Sequence, residues 1–270
     1  MILKNTVELV LDIYKYRKIL PPKVSKVILG LGYTGVQLIS YAYDPFLGLA
    51  STLSNIIQST NCTKIDFAGN LTDKSFKELM SWSYQPPSLE KIIGIATLNA
   101  ASQHILAVKN PYKKIEGNLL DFLKIKEETR ITFIGFMKPM IRNVLSTTKF
   151  IKIIDNNPVI KRTYHDIPIL NNIDDLKESD LATDILFCTG TSLINNTLER
   201  ILSVFRKQAI LIVLIGPTIS FLPDILFDKG VDIVGGMNMI DSESTIKVLQ
   251  EGGGTKLFKK YGRKYNFVKQ

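Results

Sequence analysis

Five short segments place small polar groups where a bound molecule could meet them. They are "GFMKP" (Gly135 to Pro139), "DNNP" (Asp155 to Pro158), "TGTSLINNT" (Thr189 to Thr197), "GPTIS" (Gly216 to Ser220) and "GGMN" (Gly235 to Asn238). Each follows an apolar run that reads as a strand. Glycine at a strand end permits positive φ and close approach of the backbone to a ligand. The groups around these glycines are hydroxyls and amides, with few charges, which suits binding of oxygen-rich molecules. General acid–base work usually needs a His, Cys or Lys. Lys138 is the one such base among the five segments, and its flanking proline suggests a position at the rim. The ligand-binding candidates are Gly135, Asp155, Thr189, Gly190, Thr191, Asn195, Gly216, Pro217, Thr218, Gly235 and Gly236. One cap would account for one polar residue of "TGTSLINNT", not for all of them. Asn195 is expected to open the next helix, whose free N–H groups suit an anionic or carbonyl oxygen.

Gly135 and Asp155 lie twenty positions apart, a spacing at which an acid can bond a ribose diol. The full GxGxxG pattern is absent, and Pro139 falls where free N–H groups should cradle a pyrophosphate. Classical NAD binding is therefore not expected, while a nucleotide-like ligand, or a metal ion on Asp155, stays open. The cofactor is not identified by the sequence. There are two cysteines, Cys62 and Cys188, and two histidines, His104 and His165, with no paired ligand spacing. A closed zinc site would need all four to converge. Cys188 lies in an apolar run and reads as core. His104 reads as a partly buried, satisfied histidine, and His165 as a loop residue. With Asp155, Asp224 and Asp241 are the oxygen ligands available to a metal, although Asp224 also suits a helix first turn and Asp241 also reads as a helix cap.

The elements that must position these groups fall into two parts. The chain opens with a helix over Thr6 to Ile19, followed by strand-like runs and then helices. The last of these helices spans 88–108 and is capped by Ser88. From Asn110 onward, near-continuous apolar strands alternate with helices, the pattern of a parallel sheet covered on both faces. The expected fold class is α/β: a doubly wound, Rossmann-like parallel sheet preceded by a smaller α+β domain. The expected boundaries are 1–109, including the linking helix 88–108, and 110–270. In such a sheet, ligands sit beyond the carboxyl ends of the strands. From the first domain, Tyr33, Thr34 and Asn99 are candidates to close the cleft. Asn99 interrupts an apolar helix face, where an amide needs a partner.

The 270 residues are 45% hydrophobic, enough for a large core. Mean hydropathy is +0.11. The longest apolar run, "AILIVLIG", is too short to span a bilayer, and the start lacks the apolar core of a signal peptide. These features point to a cytoplasmic protein with no membrane partner. The net charge of +9 is scattered, clustering only in the tail "KLFKKYGRKYNF". No recognition motif accompanies it, so a nucleic-acid partner is not expected.

The segments "CTGTSLINNTLERIL", "LIGPTISFLPDILFDKGVDIVGGMNMID" and "ITFIGFMKP" resemble the Rossmann-like family described by heavy-metal chelation. "GLGYTGVQL", "GLAST" and "LEKIIGIATLNAA" are similar to the companion domain of that family, which has an enolase-N-terminal-like fold. The resemblance covers nearly the whole chain and implies two domains with a site in the cleft between them. It also implies chelation of a heavy metal, or handling of an organic ligand that holds one. Soft metals favour thiolate and imidazole, in which this sequence is poor. Two other readings stay open: an enzyme acting on a nucleotide-like or anionic small molecule, and a non-enzymatic ligand sensor. The expected partner is a small molecule or metal, and a homo-oligomer is compatible with the sequence.

Overall fold

The structure is a computed structural model that describes residues 1–43, 45–57 and 62–270. It is a mixed α/β fold with a small antiparallel sheet and a large, mostly parallel one. The small sheet is formed by β1 (Lys23–Leu29), β2 (Tyr33–Ile39) and β3 (Phe46–Ser51), in that order. The large sheet uses β4 (Ile131–Ile134), β5 (Ile151–Ile154), β6 (Thr163–Tyr164), β7 (Ile167–Leu170), β8 (Thr183–Thr189), β9 (Ala209–Ile215), β10 (Ile233–Met239) and β11 (Gly262–Val268). Their spatial order is β11-β10-β9-β8-β4-β5-β7-β6. Strands β10 through β7 in that order are parallel, and the two edge strands β11 and β6 are antiparallel to their neighbours.

Alternation along the central strands explains why both sheet faces are dry. Ile131 and Phe133 of β4, with Ile185 and Phe187 of β8, enter one apolar cluster together with Ile141 and Val144 of the helix Lys138–Val144. Ile134, Leu186 and Cys188 point to the other face and enter a cluster with Leu198, Ile201, Leu202 and Phe205 of the helix Leu198–Phe205. That second cluster also contains the helix Ile2–Tyr16 and the long helix Leu89–Val108, so the two parts of the chain share one core. The small sheet is covered on both sides as well. Val36, Leu38 and Ala50 pack in the shared core, while Leu47 and Leu49 meet Met237, Met239 and Leu249. Gly48 lets β3 lie directly on the long helix, since a Cβ there would sit 2.0 Å from Ala96 O.

Several boundaries differ from the sequence reading. The first helix ends at Tyr16, and Lys18 takes φ 51°, which helical geometry does not allow. The strand "VDIV" continues through both glycines to Met239 because the chain tail pairs with it as β11. The basic tail is thus an edge strand. Arg263 and Lys264 are exposed on it, a charge placement that discourages pairing with another chain. Asn195 does not open a helix. A single turn, Thr191–Ile194, closes at Asn195, Asn196 takes φ 59°, and the next helix begins at Leu198. Among the described residues no helix is long and apolar enough to cross a membrane.

Candidate functional site

The chain passes from β4 outward to β5 and β7, then returns to the other side of β4 to form β8. Strand order therefore reverses between β4 and β8. Two connections leave in opposite directions there, opening a crevice beyond the strand ends. A cavity of about 140 Å³ occupies this position, and its lining includes Gly135, Asp155, Thr189, Thr191 and Asn195. Five of the sequence candidates thus come together at one place.

Local chemistry holds this crevice in shape. Gly135 takes φ +102°, and a Cβ there would sit 2.6 Å from Thr189 Cγ2. The glycine is thus demanded both by backbone conformation and by the neighbouring strand end. Asp155 Oδ2 accepts from Phe136 N at 2.7 Å, and Oδ1 accepts from Asn157 N at 2.8 Å. Arg162 Nη1 donates to the Asp155 carbonyl oxygen at 3.0 Å. The carboxylate therefore organises the turns after β4 and β5. Thr191 Oγ1 donates to Thr189 Oγ1 at 3.2 Å, so these two hydroxyls are linked along the crevice wall. Asn156, Asn171, Asn172, Ser192, Thr197 and Arg200 complete the polar lining. The Arg200 guanidinium pairs with Asp174. Asn171, Asn172 and Arg200 escaped the sequence reading, whereas Asn156 lies in its segment "DNNP". Asn171 and Asn172 follow β7, whose Pro168 and flanking His165-Asp166 turn disguised it as loop. His165 and Asp166 take φ 49° and 64°, the left-handed pair of a tight hairpin.

The other candidates lie in a packed seam between the two sheets. Asn99 Nδ2 donates to Leu49 O at 2.7 Å and to Thr218 O at 3.0 Å. Ser51 N donates to Thr218 Oγ1 at 3.1 Å, and Thr34 shares a hydrogen bond with Thr52 at 2.9 Å. Pro217 and Thr218 form a single turn after Gly216, which takes φ +132°. Gly190 faces this turn: an added Cβ would sit 2.7 Å from Ile219 Cγ2. The expectation that Gly190 leaves room for a ligand is corrected by this contact, since the packed turn fills that room. Gly235 and Gly236 are in mid-strand rather than at a strand end. Their missing side chains accommodate Asn266 Oδ1 and the Tyr265 hydroxyl, which would lie 2.6 and 2.4 Å from added Cβ atoms. Tyr33 is turned away from the crevice, its hydroxyl accepting from Thr255 Oγ1 at 2.9 Å. Asp224 accepts from Tyr112, and Asp241 caps its helix by accepting from Ser244 N at 2.9 Å.

The metal-ligand chemistry is specific. Cys188 is in the core, where burial pushes its thiol up to about 12, away from the thiolate that binds metal. His104 is buried among Tyr14, Tyr43 and Phe46, and its Nδ1 is hydrogen-bonded to the Tyr14 hydroxyl at 2.9 Å. Burial lowers its affinity for a proton. Cys62 and His165 are exposed. Among the described residues no group of three or more His, Cys, Asp or Glu side chains is placed to hold a metal ion. The donors of the described residues thus do not fit a soft-metal centre.

A second cavity, of about 350 Å³, lies between the first part of the chain and the segment 192–199. Lys91 borders it, is 1% exposed, and donates to Asn196 Oδ1. Burial lowers its ammonium to about 8, opposed by the charge of Glu199. Sequence reading missed this residue because a lysine in a first helical turn reads as surface.

Comparison with known proteins agrees with this architecture. A solved structure from Pyrococcus horikoshii, a protein of unknown function, superposes with a TM-score of 0.78 at 24% identity, covering 99% of this chain and 100% of that one. A second, from Desulfitobacterium hafniense DCB-2, gives a TM-score of 0.69 at 18% identity, covering 96% and 98%. An uncharacterized protein of Methanocaldococcus jannaschii is 26% identical over 197 residues, which is 72% of this chain and 71% of that protein. Two family models share the description "Putative heavy-metal chelation": DUF4213 matches residues 17–102 and DUF364 matches residues 118–268. The second match alone spans more than half of the 270 residues, and the chain belongs to that family, DUF364.

Proposed function

We propose that this protein binds a small, oxygen-rich organic molecule in the crevice where β4, β5 and β8 end. Metal, where it is handled, arrives already held by that molecule. The observation that carries this reading is the reversal of strand order between β4 and β8, with a polar cavity at that point. Side-chain amides and hydroxyls supply neutral donors and acceptors, and Arg200, already paired with Asp174, adds guanidinium donors at the rim. Such a lining suits carboxylate, hydroxyl or carbonyl oxygens. The family description speaks for a metal, while the donors of the described residues speak against a naked soft-metal ion. A ligand that brings its own metal reconciles the two. The cavity is within the second part of the chain, so the ligand need not bridge both.

The test is isothermal titration of tag-free protein with transition-metal ions alone and with the same ions as preformed organic chelates. Molecules that co-purify, identified by mass spectrometry, define which chelates to use. The chelate is expected to bind, and Thr191→Val to weaken it about fivefold, the worth of one neutral hydrogen bond. Stoichiometric binding of a bare ion, abolished by Asp155→Ala, would instead establish direct chelation and overturn this reading.

A further inference from the structure

We propose that Lys91 condenses with a small aldehyde or 2-oxo acid, forming an imine in the cavity between the long helix and segment 192–199. This does not depend on the crevice at β4 and β8, although segment 189–200 contributes to both cavities.

Three features set this lysine apart. It occupies the third position of the helix Leu89–Val108, where the positive end of the helix dipole disfavours a cation. Its side chain is buried, yet it borders a cavity of about 350 Å³ that has room for a small molecule. Among the described residues the amine has one hydrogen-bond acceptor, Asn196 Oδ1. An ammonium has three donors, so this setting suits the uncharged amine better. Asn196 reaches it from a left-handed backbone position, φ 59°, which asparagine tolerates better than most residues. The titratable side chains bordering the cavity are Tyr84 and Glu199, with the amino group of Met1 beside Glu199 at 3.6 Å. Glu199 Oε1 also accepts from Ile2 N at 2.8 Å. Burial outweighs the Glu199 charge and leaves part of the amine neutral at physiological pH. A desolvated lysine of this kind is an activated nucleophile.

The step balances without any further reactant. Neutral Nζ attacks the carbonyl carbon, and the C–N bond forms as the carbonyl oxygen takes a proton. The carbinolamine then loses its oxygen as water, both water protons coming from the amine. The product is C=N, with no change in oxidation state. Asn196 Oδ1 orients the amine, and Glu199 is placed to pass protons between the carbinolamine and solvent.

The test uses glyoxylate as carbonyl probe and cyanoborohydride as trap, with peptide mass mapping of the intact protein after reaction. At pH 7, Lys91 is expected to gain the carboxymethyl mark at least about tenfold faster than the surface lysines, which are almost fully protonated there. Its rate should level off above about pH 8, while the rates of ordinary lysines keep rising toward about pH 10. Lys91→Arg should remove the fast-labelled peptide and leave the slow ones. Labelling of surface lysines with Lys91 unmarked would overturn the proposal. So would a Lys91 rate that climbs without a plateau, or glyoxylate that binds at the cavity with no covalent mark.

Discussion

Phe136 N donates to Asp155 Oδ2 at 2.7 Å, so the turn leaving β4 is fixed by the residue that ends β5. The same carboxylate accepts from Asn157 N through its other oxygen. Asp155→Ala leaves two backbone donors without these partners. Hydrogen bonds to a charged group contribute about 1.5–3 kcal/mol each when buried, and less at a half-buried site. The expected loss is about 2 kcal/mol in urea unfolding, with weaker ligand binding because the crevice turns loosen. Asp155→Asn retains one acceptor and should fall between. A variant as stable as wild type would show that the carboxylate is free for a ligand.

Gly190 tests the seam rather than the crevice. A Cβ at this position would lie 2.7 Å from Ile219 Cγ2 and 3.2 Å from Thr218 Cβ. Overpacking of this kind costs about 1–3 kcal/mol. Gly190→Ala should therefore lower the unfolding midpoint, and Gly190→Val should lower it further. Pairing Gly190→Ala with Ile219→Ala should recover part of the loss in a double-mutant cycle, because the smaller side chain removes the clash. An additive cycle would place the strain elsewhere.

The legible part of this protein was whatever local pattern determines. Continuous apolar runs such as Leu186 to Cys188 announced strands buried on both faces, and Ser88 marked the start of the long helix, where it accepts from Lys91 N. Gly135, Asp155, Thr189 and Thr191 were legible because strand ends in a parallel sheet converge by topology. The illegible part depended on partners far along the chain. Two adjacent glycines at 235–236 resemble a strand stop, and only pairing with Tyr265 and Asn266 makes them continuous strand. The tail that supplies those partners reads as a basic cluster because its outward residues are Lys and Arg. Asn99 looked like a ligand group because an amide on an apolar helix needs a partner. Its nitrogen donates to the backbone of Leu49 and Thr218, a tertiary fact, while its Oδ1 is buried with no partner among the described residues.

His104 should make the fold acid-sensitive. Burial lowers its pKa in the folded state, so as pH falls below the ordinary histidine value the unfolded chain takes up the proton first. Stability contributed by the neutral ring is then lost as pH falls through the folded value. His104→Phe keeps ring packing against Phe46 and Tyr43 but leaves the Tyr14 hydroxyl without its ring-nitrogen partner. The variant should be less stable at pH 7 yet show a shallower decline as pH falls below the ordinary histidine value of about 6.5. Unfolding curves at stepped pH decide this, and an unchanged slope would assign the acid sensitivity to carboxylates.

Lys91 should act in the opposite pH range. The unfolded chain holds this proton up to the ordinary lysine value of 10.5, and the folded chain only to about 8. Well below pH 8 both states are protonated, and the buried charge opposes folding by its full amount. Between 8 and 10.5 the unfolded state binds the extra proton, so stability rises with pH. A shift of this size corresponds to about 3 kcal/mol. Lys91→Met fills a similar volume without the charge. It loses the bond to Asn196 but also the penalty for burying an ammonium, and replacing a buried ion with an apolar residue is often neutral or stabilising. The variant should therefore match or exceed wild-type stability at pH 7. Wild type should then gain on it steadily as pH approaches about 10, where its amine is neutral and still bonded to Asn196. Chemical unfolding of both proteins at pH 7, 8.5 and 10 measures the difference directly. A gap that stays constant across this range would mean that Lys91 keeps an ordinary proton affinity in the folded protein.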